Sequence, residues 1–460
     1  MEDGERDGQM ASPDDSPNSS PPNPSFRITP RRKFLRTIST KEPSFAEIFP
    51  PTISPPRLSN PTLPTSPLSS PLRRFTASKT AAAAVASEAS YRCISSLLKK
   101  DGQILSIAVS GNLMYTGSEQ NVIRVWKLPE LIECDRLKTK ASMAIALAVS
   151  NDMVYAAFAD FKIRVWRRVW DGRLKHVRLG TIPKTGGYVR SYIAGKDKMV
   201  KHLGPITSLA VSTADDILYS SSVDRTVKVW RISDLRCIET FHAHPDAINA
   251  LLVAEDDGVL FTASDDATVR VWRRDLCGGS RPHSLTVTLP AKQSPVKSLS
   301  LSPDSDALYG GCSDGYVHFW LKGWFSGQLQ YGGCLQGHTH AVLCMASVGN
   351  VLVTASADLT SRVWARSQDG QHCCLAVLVG HRGPIRCVAA YHEGPMPSSS
   401  GGADGDGQLG SGDDHDREDG CTMICTGSLD GVLKLWKVTN SVNSSARDCS
   451  SKAGTDYFDI

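Results

Sequence analysis

The feature that most constrains this chain is a tryptophan that keeps returning at the end of a short β-branched run. SSVDRTVKVW, ASDDATVRVW, SADLTSRVW and GSLDGVLKLW end at Trp230, Trp272, Trp364 and Trp436, and looser versions end at Trp126, Trp166 and Trp320. An aspartate stands six residues earlier in six of the seven: Asp160, Asp224, Asp266, Asp314, Asp358 and Asp430. The first repeat has Gln120 there. The shorter spacings, 40 to 48 residues, suit a four-stranded unit that buries its apolar face only by stacking on its neighbours.

Strands within a unit can be read directly. Before and after Trp272 the runs AINALLVA, GVLFTAS, TVRVW and SLTVTL are short, β-branched and bounded by turn residues. Asp314-Gly315 and Asp430-Gly431 add a strong hairpin signal. Seven such units predict an all-β fold, a seven-bladed β-propeller over residues 91–438. The longer spacings, 64 and 72, are read as insertions at 173–202, basic and partly strand-like, and at 394–420, acidic and glycine-rich. Residues 1–90 form a Ser/Pro-rich arm and an Ala-rich linker, expected to be disordered because too little apolar surface is available to offset chain entropy. Residues 439–460 are expected to be a flexible tail.

A propeller must pair its last blade with its first or leave an edge open. YRCISSLLKKDGQILSI, before the first repeat, aligns without gaps on LRCIETFHAHPDAINAL, with Arg92, Cys93 and Ile94 matching Arg236, Cys237 and Ile238. Residues 91–98 are therefore expected to supply the outer strand of the last blade.

Polar residues recur with the tryptophan. His202, His244, His338 and His381 precede first strands, and a serine lies eight residues before the tryptophan in five repeats. With Gly337-His338, Gly380-His381, the turn aspartate and the terminal tryptophan, these repeats resemble the WD-repeat family. That resemblance implies a hydrogen-bonded tetrad inside a blade. Its sets would be His202, Ser222, Asp224 and Trp230; His244, Ser264, Asp266 and Trp272; His338, Ser356, Asp358 and Trp364; and His381, Ser428, Asp430 and Trp436. Repeats one, two and five lack the histidine and are expected to be held mainly by packing. DRTVKVWRISDLRCIETFHAH, GHRGPIRCVAA and CTGSLDGVLKLWKV are similar to plant WD-repeat proteins of the Jingubang type, which implies a regulatory scaffold of cytosol and nucleus.

The resemblance and the residues point to a non-catalytic protein-interaction scaffold or regulatory adaptor. The same His, Ser and Asp recur in several blades, whereas catalysis needs one exposed site, so no catalytic residue is assigned. The alternative is a substrate receptor of a cullin-type ubiquitin ligase. Such receptors typically carry Trp-Asp-x-Arg, and here Lys127, Arg167, Arg231, Arg273, Leu321, Ala365 and Lys437 follow the tryptophans.

A net charge of +4 argues against direct nucleic-acid binding. Two before each tryptophan lies Arg124, Arg164, Lys228, Arg270, His318, Arg362 or Lys434, whose stems are read as covering apolar strands while the heads reach water. The opening MEDGERDG lacks an apolar core and no run of 18 apolar residues occurs, so neither a secretory signal nor a membrane partner is expected. Thirteen irregularly spaced cysteines are expected to be reduced thiols, with no metal and no cofactor. The acidic stretch ADGDGQLGSGDDHDRED has Gln408 where a calcium loop needs a third ligand and is read as a solvated loop.

Partners are expected to be other proteins, the chain itself being monomeric outside a complex. They would contact the face carrying the loops between one blade's outer strand and the next blade's first, at Asp246, His340 and Arg382. In the arm, Ser12, Ser16, Thr29, Thr37, Ser39, Ser54, Ser66, Ser70 and Thr76 are phosphorylation candidates. Several lie beside Arg31, Arg32, Lys33 and Arg36 or Arg73 and Arg74, where phosphate would change the local charge and so partner choice.

Overall fold

In the computed structural model 28 strands form seven four-stranded antiparallel sheets, with no helix among the described residues. Those residues are 89–98, 101–139, 143–184, 200–254, 257–274, 283–323, 327–367, 369–392 and 421–440. The arm to residue 88 with the phosphorylation candidates, residues 185–199 of the expected insertion, the segment 394–420 and the tail beyond residue 440 lie outside them.

Strand β1 (Ala89–Leu98) comes first in the chain but belongs to the last blade. Blade 1 is β2 (Ile104–Ser110), β3 (Leu113–Ser118), β4 (Val122–Lys127) and β5 (Ile132–Lys138); blade 2 is β6 (Ala144–Ser150), β7 (Met153–Phe158), β8 (Ile163–Trp170) and β9 (Leu174–Ile182). Blade 3 is β10 (Ile206–Ser212), β11 (Ile217–Ser222), β12 (Thr226–Arg231) and β13 (Arg236–His242). Blade 4 is β14 (Ile248–Ala254), β15 (Val259–Ser264), β16 (Thr268–Arg274) and β17 (His283–Pro290). Blade 5 is β18 (Val296–Leu301), β19 (Ala307–Cys312), β20 (Val317–Lys322) and β21 (Leu329–Leu335). Blade 6 is β22 (Val342–Val348), β23 (Val351–Ser356), β24 (Thr360–Arg366) and β25 (His372–Val379). Blade 7 is β26 (Ile385–His392), β27 (Cys421–Ser428) and β28 (Val432–Asn440), completed by β1.

The register β1 on β28 runs from Ala89 opposite Asn440 to Leu98 opposite Val432, so the ring is closed by joining the two ends of the domain. The outer strand inferred at 91–98 begins two residues earlier, and β28 continues to Asn440. Residues 439 and 440 are therefore ladder rather than tail. The segment 173–202, expected to be an insertion, is corrected more substantially. Most of its first part is β9, the ordinary outer strand of blade 2, and His202 already belongs to the loop entering blade 3. Its basic composition disguised it, because an outer strand is half solvated and carries charge on its exposed positions.

First strands of successive blades pack side by side around the ring, β26 meeting β2 to complete it. Second strands are wholly buried in six of the seven blades, as in Val259–Ser264 and Val351–Ser356, and in blade 2 all but Met153 is buried. Clusters of apolar side chains fill the wedges between blades: Trp230 of blade 3 packs with Val165 and Ile182 of blade 2, and Trp436 of blade 7 with Val353 and Val363 of blade 6. Every first strand carries a bulge near its start. Beside it, side chains reach across to the next blade: Ser106 donates to Ala144 O at 3.2 Å, Thr207 to Ile248 O at 2.7 Å and Ser298 to Val342 O at 3.0 Å.

Candidate protein-interaction face

Antiparallel alternation places all turns between second and third strands, and all loops from an outer strand to the next first strand, at one end of the ring. Beneath this loop face lie polar clamps. In blade 4, Trp272 donates to Thr262 Oγ1 at 3.0 Å, His244 Nε2 lies 2.7 Å from the same oxygen, and His244 Nδ1 lies 2.8 Å from Asp266. The chain repeats through Trp230, Ser220, His202 and Asp224 in blade 3. Blades 6 and 7 use Trp364, Thr354, His338 and Asp358, and Trp436, Thr426, His381 and Asp430.

Burial lowers His202, His244 and His381 from the ordinary imidazole value despite the facing carboxylates. A neutral imidazole donates once and accepts once. Since the carboxylate only accepts, Nδ1 carries the proton, and Nε2 accepts from the hydroxyl that itself accepts from the indole. Burial alone would raise Asp224, but His202, Thr226 and the Leu203 N–H outweigh it and hold its carboxyl well below the usual range. These groups are used up by one another and offer no free nucleophile or base.

The serines expected in these sets are corrected. Ser222, Ser264, Ser356 and Ser428 do not touch the indole or imidazole; the hydroxyl lies two residues earlier, at Ser220, Thr262, Thr354 and Thr426. A two-residue step along a strand keeps the same face, so spacing alone could not separate the two. The expected serines cap the turn instead. Each accepts from the N–H of the aspartate at 3.1–3.2 Å, and Ser356 and Ser428 also donate to His340 O and Gly383 O at 2.9 Å.

Blades 1 and 2 are not held by packing alone. Arg124 grips Asp101 with two nitrogens and Glu133 with a third, and Trp126 donates to Thr116 Oγ1 at 2.9 Å. Where an imidazole would sit, a cavity of about 20 Å³ remains beside Thr116, Trp126 and Arg124, large enough for one water. In blade 2, Arg164 binds both oxygens of Asp160 and covers the Phe158 ring at 4.4 Å. In blade 5, Gly310 lies under Trp320, a Cβ there falling 3.2 Å from the ring, and His318 Nδ1 meets Tyr331 OH at 2.9 Å. The basic positions before the tryptophans therefore do not simply reach water. Arg124 and Arg164 are paired, and Lys228, 2% exposed, donates to Thr240 at 3.1 Å.

At the opposite end, a second set of bonds was not read from the sequence. Tyr115 OH of blade 1 lies 3.0 Å from His176 Nε2 of blade 2, whose Nδ1 lies 2.7 Å from Asp135. Tyr219, His283 and Glu239 repeat this between blades 3 and 4, at 3.0 and 2.6 Å. Tyr309 and His372 repeat it between blades 5 and 6 at 2.9 Å, with His372 Nδ1 unpartnered. Burial pushes Tyr115 and Tyr309 up to about 12, so both stay protonated donors. The legible signal was a tyrosine eleven residues before the tryptophan, present in repeats one, two, three and five, with a histidine in the outer strand of the repeat that follows.

The loop face itself is continuous because each turn touches the next blade's loop. Lys201 lies over the Phe161 ring at 5.4 Å, and Arg225 donates to Pro245 O at 3.3 Å. Asp246, His340 and Arg382 are all exposed on this face. Leu203, 67% exposed, sits at the same loop position as Arg382, and its loop abuts Val223. Neither had been singled out. The residue after each turn aspartate has left-handed backbone: Gly315 and Gly431 in blades 5 and 7, but Phe161 (φ 62°), Arg225 (69°), Ala267 (61°) and Leu359 (71°) elsewhere. Side chains at such positions cost about 1 kcal/mol each relative to glycine.

Ring closure, four-stranded sheets and the Trp–hydroxyl–His–Asp clamp are the geometry against which family comparison can be judged. The repeat described as WD domain, G-beta repeat matches residues 195–231, 235–273, 283–320 and 329–365. The chain carries WD repeats. The four matches run from residue 195 to the third strand of blade 6, while blades 1 and 2, with their arginine–carboxylate pairs, and blade 7 lie outside them. No match to a curated protein was found. WD-repeat propellers commonly mediate protein–protein contacts, and a seven-bladed propeller with four WD repeats is consistent with an interaction scaffold.

Proposed function

We propose that this WD-repeat propeller is a non-catalytic scaffold whose loop face grips a partner protein across blades 2 to 4, with blades 6 and 7 contributing from the far side. The observation carrying this reading is the retention of Phe161, Arg225 and Leu359 in left-handed backbone, at positions where blades 5 and 7 use glycine. Strain held at several surface points of one face is accounted for if those side chains are needed there. Leu203 and Val223 add exposed apolar area beside Arg225, and arginine and apolar anchors are favoured at interface centres. Asp246, His340 and Arg382 extend the same rim.

The test exploits the strain. Arg225→Gly with Leu359→Gly relieves it, so the melting temperature should hold or rise, while proximity labelling in cells should lose the partners recovered by the unaltered chain. Unchanged partner recovery, with Leu203→Asp added, would remove the support for this face. In the same reading the protein acts as a regulatory adaptor of cytosol and nucleus, tuned by phosphate on the arm. The Ser/Thr sites beside basic clusters and the plant-type wording of the repeats support that extension. Alanine at Thr29, Thr37, Ser39 and Thr76 leaving labelling and distribution unaltered would oppose it.

A further inference from the structure

Blade 2 departs from the other blades at its outer hairpin, away from the loop face. Trp170, at the end of β8, is 76% exposed, the largest exposure of any large apolar side chain among the described residues. Val169, Val177 and Leu179 are 36%, 50% and 43% exposed on the same hairpin. Between residues 167 and 178 the chain places five cations, Arg167, Arg168, Arg173, Lys175 and Arg178, against one acid, Asp171. Arg168 is engaged by Asp152 and Lys175 by Asp171, while Arg178 reaches only Thr181.

The register orders these side chains. Arg167 lies opposite Val177 and Val169 opposite Lys175, so one face alternates cation and aliphatic group in both directions. Strand β9 is the free edge of its sheet. From Leu174 to Leu179 the pattern extends about 17 Å along the strand. An apolar tip inserting into a lipid surface would concentrate its apolar groups at the turn; here the turn itself is Asp171-Gly172-Arg173, and Val177 and Leu179 lie away from it along β9. A stripe of alternating charge and apolar surface along a strand edge fits an extended chain laid beside it.

From this we propose that the β8–β9 hairpin is a docking site for an extended acidic segment of a partner protein, one carrying aliphatic side chains between its carboxylates. Carboxylates meet Arg167 and Lys175 and the aliphatic groups meet Val169 and Val177, all on one face; Arg178 and Trp170, opposite Trp166 and Leu174, lie on the other. This site is independent of the loop face and stands or falls separately.

Fluorescence anisotropy of a labelled peptide Glu-Ser-Leu-Ser-Glu-Ser-Leu-Ser, which when extended shows Glu and Leu alternately on one face, titrated with the full chain, tests it. Binding is expected to weaken about tenfold on Arg167→Glu with Lys175→Glu, to weaken severalfold on Val177→Ser, and to fade as salt rises. Lys127→Glu with Arg273→Glu, the same charge change at exposed cations just after the tryptophans of blades 1 and 4, should leave it unchanged. Melting temperatures of all variants confirm folding. Equal losses in both pairs of variants would replace the site by a general charge effect and overturn the proposal. So would capture of phosphatidylserine vesicles without peptide binding, or a dimer in light scattering that Trp170→Ser dissolves.

Discussion

His244 and Trp272 share one oxygen: Thr262 Oγ1 lies 2.7 Å from the imidazole and 3.0 Å from the indole nitrogen. Ser264, two residues on, takes no part in that junction and instead caps Asp266 N at 3.2 Å. Thr262→Val keeps the shape and strands both ring nitrogens in a buried site. It should cost roughly 2–4 kcal/mol in urea unfolding, against about 1 kcal/mol for Ser264→Ala. A larger loss at Ser264 would mean that the junction is misassigned.

Acid should weaken the ring in two stages. His202, His244 and His381 are lowered by burial, so below the ordinary 6.5 the unfolded chain takes up protons that the folded chain refuses. Their contribution is full above that value and falls as pH drops through it. Asp224, also lowered, contributes fully above its ordinary 3.8 and loses that contribution below. Melting temperature against pH should therefore be flat from 7 to 8, decline from about 6.5, and fall more steeply below about 4. A triple His→Gln variant at 202, 244 and 381 should show a shallower first decline, His318 and His372, also lowered by burial, supplying the rest. An acid profile indifferent to these three residues would contradict the neutral tautomer.

Blade 1 depends on an ion pair where blade 4 has an imidazole. Removing one partner leaves the other charge nearly buried, so Arg124→Leu should destabilise by about 3 kcal/mol. Combining it with Asp101→Asn should restore part of that loss. Simple additivity of the two changes in denaturant titrations would show that the pair is not coupled.

Ring closure is testable by truncation. A chain starting at residue 89 keeps the β1–β28 ladder, whereas one starting at 99 leaves β28 an open edge. The first should remain monomeric in size-exclusion chromatography and the second should aggregate. Matching behaviour of the two would sink the closure.

Between blades 3 and 4, Tyr219→Phe strips His283 Nε2 of its partner in a buried site and should cost roughly 1–2 kcal/mol. The corresponding Tyr309→Phe should behave similarly at His372. Thermal unfolding with no change for either would assign those tyrosines to packing alone.

The sequence by itself determined the number of blades and the place of each tryptophan. Strand faces alternate with period two, and a buried indole repeated every 40 to 48 residues leaves little freedom in how such units stack. It also marked β1, because an outer strand without a preceding blade must complete another. It could not choose between Ser222 and Ser220, since both lie on one face and only the depth of Trp230 in the wedge decides which hydroxyl it meets. Nor could it show Arg124 closing on Asp101, or Tyr219 meeting His283 sixty-four residues away, because the first forms only when the entering loop folds onto blade 1 and the second only when neighbouring blades are brought together. The outer strand β9 was mistaken for an insertion for the same reason. Its charges look like loop until the sheet supplies a partner for every second residue, and only the tertiary structure supplies that partner.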